Sequence, residues 1–378
     1  SSNALAGAVT LMTTAANGDA SITNGNTGLI LAASTVNGDL TLTSGAAAGI
    51  IDSALVTVTG NLLATTNAND GLINLDTLAI TGTIGLNTNG SGNATINNSG
   101  LDIDFAASTV GGNLSATNTA NGMSQSGALD INGTSTFNAT GAGNNIILTN
   151  AGNDFTGAVG TDGATVTLID TNAIILGTSN VTTYTVTASA GNITQAGGVL
   201  TITGASSFTA TTNDTDINLG TTTNDFQGAV TLATNGTSGN ATVVSGTSNS
   251  LMIAPSTING DLALTSGAGI LDTGALTVTG NLTATATAGT IVLDGLVVTG
   301  TIGVNTTAGN ATVVNSSGIN FTNSAIAGGN LTATATSGDI TDTGVVTVTG
   351  TSLFTAAGGQ SITLDSTGTY TGAVTFSA

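Results

Sequence analysis

The sequence predicts an all-β protein, a right-handed parallel β-helix (β-solenoid) with about 20–22 residues in each coil. Three observations predict this fold class. The composition favours strands and tight turns, a short strand phrase returns at a nearly constant spacing, and apolar and polar residues alternate within that phrase. Together they exclude helical folds and favour a stack of short strands in which each coil buries its inner face against its neighbours.

The composition favours strands and turns. Apolar residues make up 39% of the 378-residue chain, charged residues make up 5%, and there is a single proline. Threonine, valine and isoleucine fit strands, whereas asparagine and the 55 glycines fit turns. A disordered acidic tail would combine low hydrophobicity with high charge, so this composition predicts a folded chain with many short strands.

The residue types that are missing exclude whole classes of function. The chain has no lysine, arginine, histidine or cysteine, and its formal charge is −20. It therefore lacks the usual general bases, thiol nucleophiles and ligands for zinc or haem. Nucleic acid is repelled, because no cationic side chain is available to contact its phosphates. We predict a protein that is not an enzyme, has no catalytic or cofactor-binding residues and binds no nucleic acid.

A strand phrase closed by glycine gives the length of the coil. It reads Thr-Val-Thr-Gly or a close variant, and its central residues lie 22 positions apart at Val58 and Ile80 and 20 apart at Val278 and Val298. A unit of this length is too short for a domain and is typical of a solenoid. A tandem array of small β-sandwiches is the alternative, and it would require turn signals about every 8–12 residues.

A longer repeat of about 220 residues is superimposed on the coils. Residues 57–62, for example, return as residues 277–282. The chain shows no linker, charge block or break in composition. We therefore predict one continuous domain over residues 1–378, with long repeats at about 7–227 and 228–378.

Alternation within the phrases is strict. Over residues 277–287, Val278 and Leu282 alternate with threonines. Period-two alternation directs apolar side chains inward and hydroxyls outward. A further phrase, Asn-Asp-Phe-x-Gly-Ala-Val, recurs at residues 153–159 and 224–230, and its phenylalanine, like the other aromatic residues, is predicted to stack in the core.

These phrases resemble the repeats of very large bacterial surface proteins of the filamentous haemagglutinin type. The likeness is carried by residues 275–289, which read ALTVTGNLTATATAG, and by residues 148–159, which read LTNAGNDFTGAV. The resemblance implies export, a long right-handed β-helix, and a role in adhesion, biofilm or surface layers. The Arg-Gly-Asp and basic heparin-binding patches of such adhesins are absent here, which favours a shaft over a specific adhesin.

From these features we predict a structural extracellular or cell-surface protein, a stiff rod in a surface fibre, sheath or adhesin shaft. We expect self-association end to end, or continuation as a longer chain, because no capping coil is recognisable. We expect no membrane insertion, since no apolar run approaches about 18 residues. The alternative is an adhesin or glycan-binding module on the shaft, with surface glycans as partners.

Two acidic pairs form the candidate metal site. Asp102 with Asp104, and Asp214 with Asp216, place carboxylates two residues apart on one face of a strand, where they would offer oxygen ligands to Ca²⁺. We favour the ordinary interpretation, a solvated face that keeps the protein soluble, and expect no cofactor apart from this calcium alternative. A polysaccharide hydrolase would need several aspartates in one cleft, and an ice-binding face would need threonines in register on every coil.

Overall fold

A computed structural model of the protein describes residues 3–25, 27–98, 100–141, 143–246 and 249–378. The described residues form strands, turns and bends, with none in a helix, and within these ranges no helix meets the length and hydropathy that a membrane span requires. The strands stack in parallel as a β-solenoid of about 17 turns of roughly 21 residues. This confirms the predicted parallel β-helix and excludes the array of β-sandwiches.

The chain divides into two compact units, Ser1–Thr182 and Thr183–Ala378, and the prediction of one continuous domain with a repeat near 220 residues stays a prediction. The strands described in the first unit are β1 (Ala20–Asn24), β2 (Leu29–Leu31), β3 (Ser34–Val36), β4 (Leu40–Ser44), β5 (Ile50–Asp52), β6 (Val56–Val58), β7 (Leu62–Asn69), β8 (Ile73–Ile80), β9 (Thr83–Asn89), β10 (Ala94–Asn98), β11 (Ile103–Phe105), β12 (Ser108–Val110), β13 (Leu114–Asn118), β14 (Met123–Gln125), β15 (Leu129–Ile131), β16 (Ser135–Ala139), β17 (Ile146–Leu148), β18 (Asp154–Phe155) and β19 (Val159–Asp170).

The boundary between the units falls within β20 (Ile174–Ala188). The strands described after it are β21 (Ile193–Gln195), β22 (Leu200–Ile202), β23 (Ser206–Asn213), β24 (Ile217–Leu219), β25 (Asp225–Phe226), β26 (Val230–Asn235), β27 (Ala241–Ser245), β28 (Leu251–Ile253), β29 (Ser256–Ile258), β30 (Leu262–Ser266), β31 (Ile270–Asp272), β32 (Leu276–Val278), β33 (Leu282–Ala286), β34 (Ile291–Val298), β35 (Ile302–Thr306), β36 (Ala311–Asn315), β37 (Ile319–Phe321), β38 (Ser324–Ile326), β39 (Leu331–Ala335), β40 (Ile340–Asp342), β41 (Val346–Val348), β42 (Ser352–Thr355), β43 (Ile362–Thr363), β44 (Thr369–Tyr370) and β45 (Val374–Ser377).

Each coil has two sides joined by turns. In the coil of residues 40–58, one side is the single strand β4, and the other side is divided by a bend into β5 and β6. We call these the long side and the split side. The long side stacks on its equivalent in the next coil, so that Leu40 lies opposite Leu62 and Leu42 opposite Ala64. Backbone hydrogen bonds between equivalent strands therefore run along the stack.

Period-two alternation fills the interior as predicted. The strand LTLTS of β4 buries both leucines and the serine and leaves its threonines half-buried. The aromatic residues form edge-to-face columns, with ring centroids 6.0 Å apart between Phe105 and Phe137 and 6.4 Å apart between Phe208 and Phe226. All four rings are fully or almost fully buried, which confirms that they stack in the core.

Glycine closes the strand phrases because successive turns lie in contact. The amide of Gly60 donates to the carbonyl of Gly38 at 3.0 Å, and a Cβ atom added to Gly60 would lie 2.6 Å from that oxygen. Gly280 has the same relation to Gly260, at 2.9 Å for the hydrogen bond and 2.6 Å for the added Cβ. The recurring Thr-Val-Thr-Gly therefore reflects the spacing of the coils, and a larger residue would force adjacent turns apart.

The long and split sides exchange places within each unit. In the first unit, β9 and β10 are both long and form one coil, residues 83–98. The split side of the next coil stacks on β9, with Phe105 opposite Ile84. On the other side of the coil, β10 stacks on β8, which belongs to a split side, with Ala94 opposite Ile73. β19 repeats the arrangement, since its first part covers the long strand β16 and its second part covers the short strand β17. We call such a coil an exchange coil.

The described part of the second unit has exchange coils at residues 230–245 and 302–315. Strands β28 and β29 cover the long strand β26, and β37 and β38 cover the long strand β35. On the other side, β27 covers β24, and β36 covers β34. Because β26 and β35 lie on different sides, the chain makes three and a half coils between them.

Candidate functional site

The first predicted acidic pair lies on the coil after an exchange coil. Asp102 directly precedes β11, and its Oδ1 accepts a hydrogen bond of 3.2 Å from the amide of Gly122 in the next coil. Asp104 lies within β11, opposite Thr83 on one side and Ser124 on the other. Its Oδ1 is buried and has no partner among the described residues. One carboxylate of the pair is thus engaged in a contact between coils.

Both aspartates of the second predicted pair bond to the next coil. Asp214 has a φ of 60°, in the left-handed region, and its Oδ1 accepts the amides of Thr237 at 2.8 Å and Ser238 at 2.9 Å. These hydrogen bonds, that of Thr237 first, hold the pKa of Asp214 below its ordinary value. Asp216 Oδ1 accepts the amide of Asn240 at 2.8 Å. Each carboxylate therefore ties its turn to the turn stacked on it.

Asp70, which sequence reasoning did not single out, has the same role in the first unit. Its φ is 62°, and its Oδ1 accepts hydrogen bonds from the hydroxyl of Ser91 at 2.6 Å and from the amide of Ser91 at 2.8 Å. The first of these bonds, followed by the second, lowers the pKa of Asp70. Among the described residues no three His, Cys, Asp or Glu side chains come together as a metal-binding group, and the calcium alternative stays a prediction.

A shallow groove marks the surface of the second unit. It lies over Ser317, Ile319, Asn320, Asp339 and Thr341. Cleavage of a neutral glycan requires two carboxyl groups that flank the scissile bond, and this groove is lined by one. The groove therefore offers hydroxyl, amide and carboxylate groups for contact and lacks an acid–base pair.

The repeated phrase that begins at Asn153 and at Asn224 marks a buried amide pair. Asn153 Oδ1 accepts from Gln125 Nε2 at 2.7 Å, and Asn153 Nδ2 donates to Gln125 Oε1 at 2.9 Å. Asn224 and Gln195 make the same two bonds, at 2.7 Å and 3.0 Å. Both asparagines are fully buried, so the phrase records a polar contact between coils.

The exchange coils carry a specific polar geometry. At the end of the long strand that covers a split side, a fully buried asparagine occurs at Asn98 in the first unit and at Asn315 in the second. Asn98 Oδ1 accepts the amide of Ile80 at 2.7 Å, and Asn98 Nδ2 donates to the carbonyl of Ile80 at 3.0 Å. Asn315 makes the same two bonds to Val298, both at 2.9 Å. The asparagine side chain thus makes the hydrogen bonds that a neighbouring strand makes to the backbone in an ordinary coil.

Three further buried polar residues end the strands β1, β19 and β27 in the same way. Asn24 Oδ1 accepts the amide of Leu5 at 2.8 Å, and Asp170 Oδ2 accepts the amide of Phe155 at 3.0 Å. We call the five residues exchange caps, and all of them are fully buried: Asn24, Asn98, Asp170, Ser245 and Asn315.

A buried serine marks the bend of the split side that follows each exchange. Ser108 Oγ donates to the carbonyl of Ala106 at 2.9 Å and accepts the amide of Leu86, in the coil below, at 3.1 Å. Ser256 makes the equivalent bonds at 2.7 Å and 2.9 Å. These corner serines, none more than 6% exposed, are Ser34, Ser108, Ser179, Ser256 and Ser324.

Asp170 differs from the other exchange caps because it is ionisable. Burial raises the pKa of Asp170 to about 6, against the opposing effect of hydrogen bonds from the amides of Asn172 and Phe155. An ionised carboxylate accepts hydrogen bonds and donates none. It therefore cannot make the second bond that Asn98 and Asn315 make, and above pH 6 this cap carries a buried charge.

A ladder of side chains runs along the turns that precede the long strands. Asp39 Oδ1 accepts the amide of Asn61 at 2.8 Å, and Asn61 Oδ1 accepts the amide of Thr83, one coil further, at 2.9 Å. The second unit repeats the contact between Asp261 and Asn281 at 2.7 Å. We call this the turn ladder, and it bonds each turn to the next outside the core.

Sequence reasoning did not identify the exchange caps and corner serines as a set. A signal was present, because the phrase Ser-Thr-(Val/Ile) that begins at Ser34 and Ser256 also begins at Ser108. The caps gave a weaker signal, since asparagine is frequent along the whole chain and its burial follows from the stacking of coils. Three of the four aspartates predicted as candidate calcium ligands accept hydrogen bonds from the next coil.

Comparison with known proteins finds a repeat family. A family model described as Repeats of unknown function (DUF5649) matches residues 91–162, 163–233, 238–307 and 308–377. No curated protein and no solved structure matches the chain. Each matched segment is about 70 residues long, which corresponds to about three and a half coils of roughly 21 residues. The segments begin within exchange coils: between β9 and β10, within β19, between β26 and β27, and between β35 and β36.

Proposed function

We propose that this chain, which belongs to the repeat family DUF5649, is a structural protein of the cell surface or extracellular space. In this proposal it resembles the shafts of filamentous haemagglutinin-like bacterial surface proteins and forms a rigid rod in a fibre, sheath or adhesin. It acts by its mechanical properties, without catalysis and without a cofactor.

The observation that carries the proposal is the continuity of hydrogen bonding between coils. Backbone ladders join β4 to β7 and β30 to β33 over five residue pairs each. The turn ladder extends this bonding to the turns, and the exchange caps extend it to the coils in which the sides change places. A stack that is bonded at its strands, turns and bends resists bending and shear, which is the property that a shaft requires.

Electron microscopy of the purified 378-residue chain tests the proposal. We expect elongated particles of uniform width, with a length of about 80 Å from about 17 coils spaced about 4.8 Å apart. A far-UV circular dichroism spectrum dominated by β-structure serves as the control that the material is folded. Compact, nearly spherical particles with that spectrum would refute the rod.

The proposal includes axial continuation, by further coils of the same chain or by a second copy. A terminal coil of a solenoid presents an open strand edge, which can form backbone hydrogen bonds with a further coil. If copies stack end to end, micrographs at rising protein concentration will show longer particles of constant width, and an unchanged length distribution would count against stacking between copies.

A glycan-binding module on the shaft is the second candidate function. The groove over Asn320, Asp339 and Thr341 favours it, because amide, carboxylate and hydroxyl groups are suited to bind sugar hydroxyls. Binding of a neutral glycan that is lost in Asn320→Ala, and retained in Asn305→Ala outside the groove, would support this candidate.

A further inference from the structure

The carboxylates of the second unit avoid one kind of surface. Asp261 lies in a turn, and Asp272 and Asp342 lie in strands of split sides. The outward positions of the long strands β27, β30, β33, β36, β39 and β42 carry threonine, valine, alanine and Leu353, with no aspartate. In a chain with a formal charge of −20, these strands form flat, charge-free areas within a negative surface.

These areas lie on both sides of the coil. The first face is formed by the outward residues of β27, β30 and β33, among them Thr265 and Thr285. The second face is formed by the outward residues of β36, β39 and β42, among them Thr334 and Leu353. Because β36 stacks on β34, the split side of the coil whose long side is β33, the exchange at residues 302–315 moves the charge-free face across the coil.

We propose that the first and second faces are lateral interfaces at which a second copy of this chain binds side by side. This inference rests on the proposed structural function and adds the surface through which rods associate. Ionic repulsion between copies extends over about 8 Å at physiological salt, and a contact that buries unpaired carboxylates is strongly disfavoured. Contact through the two faces buries no carboxylate, because the aspartates stay in water at the margins. Flat sheets can then pack about 10 Å apart with interdigitated side chains.

A second copy is the partner that fits this arrangement. Each copy offers equivalent faces on two sides, so every contact leaves a free face for the next copy, and association continues sideways. One face spans three strands of about five residues, or roughly 14 by 17 Å. This area is well below the roughly 800 Å² per partner of a stable interface, so several repeats must engage together, and the association is weak and strengthened by salt.

Sedimentation velocity of the whole chain at neutral pH, over NaCl concentrations from about 0.05 to 1 M, tests the proposal. We expect the wild type to form larger species as salt increases. The double variant Thr285→Asp/Thr334→Asp places one carboxylate in each face and should abolish this increase. The matched control Thr277→Asp/Thr347→Asp places the same charges on the equally half-buried outward threonines of β32 and β41, on split sides, and should associate like the wild type.

Two results would overturn the proposal: a wild type that stays dispersed at all salt concentrations, or face and control variants that behave alike. The uncharged variant Thr285→Asn/Thr334→Asn should keep the association, and it preserves the comparison if the aspartate variants unfold in circular dichroism. Electron microscopy of the same samples separates this inference from the proposed function. Dispersed rods would overturn lateral pairing and leave the shaft, whereas compact particles that still associate through the two faces would overturn the shaft and leave the pairing.

Discussion

Inward positions of several long strands carry one of two pairs of side chains. Some strands have leucine followed two residues later by alanine, as at Leu282 and Ala284, and others have serine followed by phenylalanine, as at Ser206 and Phe208. All four side chains are at most 4% exposed. Leucine with alanine and serine with phenylalanine occupy similar total volumes. Coils with the same backbone conformation therefore accept either pair at close to native packing density.

Phe208→Ala will lower the free energy of unfolding by about 3–5 kcal/mol, because it leaves a cavity in the aromatic column. Ser206→Leu alone will cost about 1–3 kcal/mol by overpacking. The double variant restores a leucine–alanine pair and should recover part of the loss. Urea unfolding followed by circular dichroism measures all three, and strictly additive losses would contradict the idea that the two side chains share one space.

Asp170→Asn will stabilise the protein above pH 6. Burial raises the pKa of Asp170 to about 6, above the value near 3.9 expected in the unfolded chain. The folded state therefore favours the neutral carboxyl, and this stabilisation is complete below about pH 4 and is lost as the pH rises through about 6. Asparagine, the residue at three other caps, carries no charge at any of these pH values and adds a hydrogen-bond donor. It should raise the free energy of unfolding by about 1 kcal/mol or more at pH 8.

Thermal unfolding between pH 4 and pH 8 measures this effect. The difference in Tm between Asp170→Asn and the wild type should increase as the pH rises through about 6. Asn98→Asp is the matched control, since it introduces a carboxylate at an equivalent buried cap and should destabilise the protein most at high pH. A difference in Tm that does not change with pH would contradict the assignment to Asp170.

At the scale of the element, the exchange coil sets the length of the family repeat. Where the long strand β36 covers the split strand β34, the register shifts between Leu293 and Leu296, and the backbone of Val298 is bonded by the side chain of Asn315. The cap thus supplies one donor and one acceptor in the core. Its loss leaves the buried amide of Val298 unpaired, at a cost of about 1–3 kcal/mol, whereas the carbonyl of Val298 keeps the hydrogen bond from the hydroxyl of Ser317 at 3.1 Å.

Asn315→Ala will therefore destabilise the protein more than Asn281→Ala. Asn281 also bonds to the next coil, but it lies in the exposed turn ladder, where water replaces the lost bond at a cost below about 1 kcal/mol. Urea unfolding compares the two variants, and hydrogen exchange at the Val298 amide reports the local effect. Equal losses in the two variants would argue against a special role for the cap.

The stacking of ordinary coils was predictable from the sequence, and the exchange was not. Spacing and alternation place Val298 over Val278, as the structure shows, because each strand there follows the strand one coil earlier. At an exchange, the environment of a residue depends on the coil beneath it, which no local pattern records. Asn305 and Asn315 each follow a valine and precede a residue with a hydroxyl group. Asn315 is nevertheless fully buried, whereas Asn305 accepts the amide of Ala325 at the surface.

The acidic pairs show the same limit for the candidate site. Alternation predicted that Asp102 and Asp216 point away from the core. Their partners, the amides of Gly122 and Asn240, follow from the register between coils, which varies by several residues along the chain. The sequence therefore located the carboxylates and left their hydrogen bonds undetermined.

At the scale of the whole molecule, a charge of −20 without any cationic side chain makes repulsion the dominant long-range force between copies. The carboxylates do not lose their charge together. Burial raises the pKa of Asp52 and Asp272 above the ordinary value, whereas the hydrogen bonds from Ser91 lower that of Asp70. Charge is therefore lost gradually as the solution becomes acidic.

We predict that lateral bundling begins as the pH falls towards about 3–4, where most aspartates become neutral. Added salt should move the onset to higher pH, since it screens the charges that remain. Light scattering during an acid titration, with circular dichroism to confirm that the fold persists, measures the onset. A flat scattering trace through the whole titration would contradict the prediction.

The half-integral repeat also constrains how such a chain changes length in evolution. Gain or loss of one 70-residue segment by recombination rotates everything that follows by half a turn about the stack, so a patch that faced a partner now faces away from it. Gain or loss of two segments restores the original orientation. Parity of the segment number, and not length alone, thus decides whether a lengthened chain keeps its surfaces aligned.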